Sequence, residues 1–268
     1  MELHIRGYHN VFLLLVVSYY FLVLNHICAQ QMSSAGRLYP LYDSSKCPWV
    51  SESFLCVPNG RPDKDYLKYR WSPSGCDAPR FDAEDFLRRY TGKKIMFVGD
   101  SISNNQWQSL TYSIWDKIQE ENKSYKDLDR LVAFTKGLTT WSKWVDNNID
   151  PKKTQVFYQG ISPAHLDGND WGSPGTNCAN HTTPINGTVY PGSPTPVVAV
   201  VKQVLSRMSV HVNLLDITTS SQLRIDGHPS IYANRGQTAH DCGHWCLAGV
   251  PDTWNSLFYA SVVLSENV

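Results

Sequence analysis

With 268 residues, 42% hydrophobic and 18% charged, the chain carries enough apolar material to bury the core of one large globular domain or two small ones, so disorder is not the default. Lysine plus arginine equals aspartate plus glutamate at 24 each, so no global field recruits nucleic acid or an acidic membrane, and any partner is recognised locally. Nine Trp, fourteen Tyr and nine Phe offer flat faces suited to sugar rings, although core filling is the commoner role of any single aromatic.

The chain begins with a targeting pattern: Arg6, then the apolar run Val11 to Leu24, long enough for a signal h-region and short for a membrane span. Residues 1–29 are therefore expected to be a signal peptide cut after Ile27-Cys28-Ala29, or an uncleaved signal anchor; membrane contact is expected only through them. The glycosylation sequons at Asn122, Asn180 and Asn186 agree with a lumenal route. From Arg37 to Arg80 six prolines and three cysteines predict a disulfide-stapled wrap rather than regular elements. Asp82 is placed to cap a helix running to Tyr90, with Glu84 and Asp85 in its first turn and Arg88 and Arg89 near its end, and Thr91-Gly92 stops it. Ile95 to Val98 then reads as a strand buried on both faces, and Ser103 to Leu110 as a helix.

The alternation continues. Leu128, Leu131, Val132, Leu138, Trp141 and Val145 fall at helical spacing, and Gln155 to Gln159 reads as a strand. A Gly- and Pro-rich loop from Gly160 to Pro196 carries Cys178 as a tie; Val197 to Met208 is a helix, His211 to Ile217 a strand, and Thr253 to Leu264 a closing helix. The fold class is α/β, with a parallel sheet flanked by helices.

Seven cysteines become six if Cys28 leaves with the signal, and an even set in an oxidising lumen implies disulfides. A zinc reading of His240, Cys242, His244 and Cys246 ranks below this, because structural zinc ligands come as spaced pairs from separate segments and no metal is expected. The chemistry lies in two runs, Gly99-Asp100-Ser101 and Asp241-Cys242-Gly243-His244. A serine hydroxyl needs an imidazole to take its proton and a carboxylate to fix the imidazole tautomer, so Ser101, His244 and Asp241 predict an acyl-transfer enzyme.

Around these residues stand Tyr39-Pro-Leu-Tyr-Asp43, Gly60-Arg-Pro-Asp63, Tyr69-Arg-Trp71, Met96-Phe-Val-Gly-Asp-Ser101 with Asn105-Gln-Trp107, Gln159-Gly-Ile-Ser162, Leu215-Asp-Ile217, Asp226-Gly-His-Pro-Ser230, Asp241-Cys-Gly-His-Trp-Cys-Leu247 and Gly249-Val-Pro-Asp-Thr-Trp254. In these motifs the chain resembles the plant trichome-birefringence-like proteins, polysaccharide O-acetyltransferases of the PC-esterase group related to SGNH hydrolases. The resemblance implies an SGNH-hydrolase-like sheet, an N-terminal domain over residues 30–90 and a catalytic domain over 91–268. It implies acetyl transfer through a Ser101 acetyl-enzyme, with His244 as base and Asp241 as its orienter. The implied acceptor is a cell-wall polysaccharide of xylan or pectin type. No cofactor is expected to be bound; acetyl-CoA or another acetyl carrier is a co-substrate. The implied location is the Golgi lumen or membrane, or the cell wall after cleavage near Ala29. A secreted carbohydrate esterase and an inactive glycan-binding isoform are the alternatives.

Other roles follow from the same resemblance. The backbone N–H of Ser101 is expected to meet the oxyanion, with Asn105 as a side-chain candidate or a helix cap; Asp100 is a weaker candidate that more often ties down turn amides. His228 reads as a structural or groove residue, and Trp107, Trp171 and Trp245 as glycan-cleft or core residues. Cys56 is implied to pair with Cys246, and Cys178 with Cys242. The family's opening Cys-Asp-Leu-Phe segment is missing here, and so is a central segment at the junction of Tyr112 and Ser113. Cys47 and Cys76 thereby lose their partners, and either pair with each other or stay free.

Overall fold

Two small sheets and six α-helices, with five short 3-10 turns, are formed by the residues that the computed structural model describes, namely 32–34, 50–71, 79–111, 130–233 and 240–265. The leader 1–29, Cys47, Cys76, Asn122 and the junction at 112–113 lie outside them. Just ahead of the wrap, β1 (Met32–Ser34) pairs antiparallel with β2 (Tyr69–Trp71) inside it, a pairing that the prolines and cysteines did not predict.

Helix α1 (Ala83–Tyr90) forms where its caps place it. The Asp82 carboxylate accepts the Asp85 N–H at 3.0 Å, and the helix stops at Thr91, before Gly92 in the left-handed region at φ +76°. Asp85 accepts from Arg89 at 2.6 Å and from the Tyr259 hydroxyl at 2.6 Å, which ties α1 to the C-terminal helix. Residues 95–98 differ from expectation. They form no strand: Ile95 and Phe97 lean on the core, while Met96 and Val98 are 68% and 71% exposed. Burial on both faces needs a neighbour on each side, and no described strand pairs with this run.

Helix α2 (Ser101–Thr111) follows the Gly-Asp turn directly, and α3 (Arg130–Asn148) takes up the helical spacing around Trp141. The second sheet joins β3 (Val156–Gln159) and β4 (Val212–Leu215) in parallel, with Val156 opposite Val212 and Gln159 opposite Leu215. Between them the chain passes through the long loop and α4 (Pro196–Leu205), which begins with proline at its first turn and packs on α3. Gly160 leaves the sheet where a Cβ would stand 2.9 Å from the Leu215 carbonyl oxygen, so the crossing requires glycine. A short helix, α5 (Thr218–Gln222), and the long α6 (Val250–Ser265) complete the order.

The core lies between α1, α2, β4 and α6: Phe86, Leu110, Leu215, Trp245, Trp254, Phe258 and Val262 are all buried. No described helix is long and apolar enough to cross a membrane. The loop between β3 and α4 is tied down, as its length requires. His165 donates its N–H to the Cys242 carbonyl at 3.0 Å, Cys178 donates to the His165 carbonyl at 3.0 Å, and Cys178 is disulfide-bonded to Cys242.

Candidate active site

Ser101 is the first residue of α2, and its exposed side chain stands where the orphan amides of the helix start point outward. The turn before it is held by Asp100, whose carboxylate accepts the Ile102 N–H at 2.9 Å and whose carbonyl accepts the Asn104 N–H at 3.1 Å. Asp100 thus tethers the turn that presents Ser101.

The second run reaches Ser101 across the fold. His244 Nε2 lies 2.8 Å from Ser101 Oγ, and His244 Nδ1 lies 3.0 Å from each carboxylate oxygen of Asp241. Burial alone would raise the Asp241 pKa. Hydrogen bonds from the His244 side chain, the His244 N–H and the Gly243 N–H outweigh it and hold the carboxyl at about 2. An ionised carboxylate can only accept, so Nδ1 carries the proton; in the neutral imidazole Nε2 is then free to accept from the Ser101 hydroxyl. The side chains of His244 and Asp241 are 16% and 8% exposed, whereas Ser101 faces solvent.

Local bonds explain why this loop holds its shape. Asp241 and Ser230 exchange backbone hydrogen bonds of 2.9 and 3.2 Å. The loop is stapled at Cys242 to Cys178 and at Cys246 to Cys56, the two pairings that the family pattern implies. These bonds consume both thiols of the zinc alternative, and His240 Nδ1 sits 2.9 Å from Ser230 Oγ. Phe54, from the wrap, lies with its ring 5.5 Å from the His244 ring, and its carbonyl accepts the Leu247 N–H at 2.9 Å.

Asn105 requires a correction. It is fully buried, its Nδ2 donates to the Trp245 carbonyl at 3.1 Å and its Oδ1 accepts the Trp245 N–H at 2.8 Å, so its amide is withdrawn from any oxyanion at the surface. It stands one helical turn after Ser101 and clamps α2 to the residue after His244. Trp245 and Trp171 are core rather than cleft: Trp245 is stacked on His228 at 4.0 Å, and Trp171 meets His165 edge-on. The Trp107 side chain lies outside the described residues. Asn180 and Asn186 are exposed on the long loop.

Sequence reasoning missed Phe54, whose ring lies near the imidazole, and behind the His244 loop it missed His165, which contacts His228, and Ser162, whose Oγ accepts from Trp245 Nε1 at 2.8 Å. They come from three distant segments, and no spacing rule joins them. The Asn105 clamp did carry a signal, its position four residues after Ser101.

Residues 78–114 and 110–261 match the family described as a GDSL/SGNH-like acyl-esterase family found in Pmr5 and Cas1p, and residues 33–77 match the PMR5 N terminal domain. Among similar proteins of Arabidopsis thaliana, trichome birefringence-like 42 is 40% identical over 307 aligned positions, covering 84% of this chain and 85% of its own length. Trichome birefringence-like 38 and 39 are 39% and 38% identical, covering 84% and 85% of this chain and 81% and 84% of their own. With acyl-esterase family matches across both parts of the chain and relatives this similar over most of their length, the chain belongs to the trichome birefringence-like family of PC-esterase proteins.

Proposed function

We propose that this chain is an O-acetyltransferase that moves acetyl groups onto a cell-wall polysaccharide of xylan or pectin type through a serine acetyl-enzyme. The observation that carries the reading is the continuous array from Asp241 through His244 to Ser101 Oγ. Ser101 Oγ attacks the carbonyl carbon of an acetyl donor, acetyl-CoA or another carrier, as His244 Nε2 takes its proton. Collapse of the tetrahedral intermediate breaks the bond to the donor's leaving group, which receives that proton. A sugar hydroxyl then gives its proton to His244 and attacks the acetyl-serine, and Ser101 leaves with the proton returned. The amide at the start of α2 supports a role for the Ser101 N–H in meeting the oxyanion.

The exposure of Ser101 favours a second reading, a carbohydrate esterase in which water replaces the sugar hydroxyl. Two observations support the absence of a central segment near 112–113, and with it a more open site. The alignment with trichome birefringence-like 42 spans 307 positions while taking in only 84% of a 268-residue chain, and the acyl-esterase match falls into two pieces that meet at residues 110–114. A lumenal or secreted location is the setting in which these disulfides persist.

The test is to incubate the chain with an acetyl donor and deacetylated xylan or pectin oligosaccharides, beside a Ser101→Ala variant. Acetylated oligosaccharide detected by mass spectrometry and lost in the variant supports the transferase. Ser101-dependent release of acetate at a rate indifferent to glycan replaces it with the esterase, and a folded chain with neither activity sinks both.

A further inference from the structure

Behind the His244 loop lies a buried pair of imidazoles that the triad chemistry does not use. His165 Nδ1 and His228 Nε2 are 2.7 Å apart. The other nitrogens of the pair both face backbone carbonyls: His165 Nε2 lies 2.9 Å from the oxygen of Gln222, and His228 Nδ1 lies 2.6 Å from the oxygen of His244 itself. Both rings are buried, at 1% and 2% exposure, and His228 is sandwiched against Trp245.

The proton count of this chain of contacts is decisive. A carbonyl only accepts, so each end nitrogen must carry hydrogen, and the central contact needs one hydrogen between its two nitrogens. Three hydrogen bonds require three protons, whereas two neutral imidazoles bring two. In any neutral arrangement, one contact of 2.6–2.9 Å sets a lone pair against a lone pair. We propose that His165 and His228 share three N–H protons as a single cationic unit, and that His228 thereby acts as a positioning residue, fixing the backbone of His244 for proton exchange with Ser101. This rests on the reading of Ser101, His244 and Asp241 as a nucleophilic triad.

The surroundings bound how much charge the pair can hold. Burial lowers the proton affinity of both rings, that of His228 well below the ordinary imidazole value, and the two repel each other; the third proton is held against this opposition by the geometry of the three contacts, and a fourth is excluded. Asp226, Asp241 and Asp170 draw positive charge toward the pair; Arg61, whose Nη1 donates to the His228 carbonyl at 3.0 Å, and His181 oppose it. Arg61 is itself paired with Asp63 at 2.7 Å, and Asp226 with Arg224 at 2.8 Å, so neither acts at full strength.

Two measurements on the full chain test this. In protein labelled with nitrogen-15 histidine, nuclear magnetic resonance at pH 6 is expected to show hydrogen on His165 Nε2, on His228 Nδ1 and a third between His165 Nδ1 and His228 Nε2; a bare nitrogen at either end, or two bare nitrogens at the centre, overturns the shared proton. The positioning role is read from the rate at which a fluorophosphonate probe phosphonylates Ser101 Oγ with loss of fluoride. His228→Leu removes the donor to the His244 carbonyl and is expected to slow labelling about tenfold, the worth of one such bond. His228→Asn keeps an N–H donor at the place of Nδ1 and is expected to recover most of that rate. Equal loss in both variants, or none in either, overturns the positioning role. If Ser101 of the unaltered chain resists the probe, the triad reading fails, the positioning role falls with it, and the resonance measurement alone decides the shared proton.

Discussion

Asp241 shows how one carboxylate can organise a site. Its oxygens accept from His244 Nδ1, from the His244 N–H and from the Gly243 N–H, so a single side chain sets both the imidazole tautomer and the turn that carries it. Replacing Asp241 with Asn is expected to lower Ser101-dependent turnover by about 10³–10⁴-fold, because the amide favours the wrong tautomer. The same bonds fix a pH signature. The folded pKa of about 2 lies below the ordinary value of 3.8, so the stabilisation is complete above pH 4 and is lost as pH falls from about 4 to about 2. Acid unfolding followed by circular dichroism should therefore be shallower in this window for Asp241→Asn than for the unaltered chain. Asn105→Ala is expected to cost about 2–4 kcal/mol in a denaturant melt, because it leaves both backbone groups of Trp245 unpaired in the core, while Ser101→Ala should leave stability nearly unchanged. At this scale the meeting of Ser101, His244 and Asp241 was legible in the sequence, because a serine, an imidazole and a carboxylate are the types that such an array needs. The role of Asn105 was not legible, since an amide offers the same groups to an oxyanion and to a buried backbone, and only burial decides between them.

Among elements, the helices were legible wherever caps and apolar spacing agreed, as in α1, where Asp82 and Gly92 bracket the helix. The run at 95–98 was not, because an apolar tetrapeptide specifies extended backbone but not the neighbours that would bury it. The wrap owes its position to covalent and aromatic ties rather than to regular structure: Cys56 is bonded to Cys246, and Phe54 rests near the His244 ring. This bridge closes a separation of 190 residues, which restricts the unfolded chain strongly. The paired substitution Cys56→Ser with Cys246→Ser is expected to cost about 2–5 kcal/mol in chemical denaturation and to lower turnover at temperatures where the chain still folds.

For the whole molecule, α6 and Trp245 gather α1, α2 and β4 into one core, while the run at 95–98 leaves apolar side chains in water. Exposed apolar side chains such as Met96 and Val98 invite contact with another chain. Met96→Lys is expected to reduce self-association in sedimentation at high protein concentration without altering Ser101-dependent turnover; unchanged association would show that this run is not the adhesive surface. The two bridges also bear on proteolysis. Because Cys56 and Cys246 lie near opposite ends of the described chain, any single backbone cut between residues 57 and 245 leaves two fragments covalently joined. A cut in the exposed stretch around Val189 leaves them joined twice, with Ser101 on one fragment and His244 on the other, so a nicked molecule would run as intact until it is reduced.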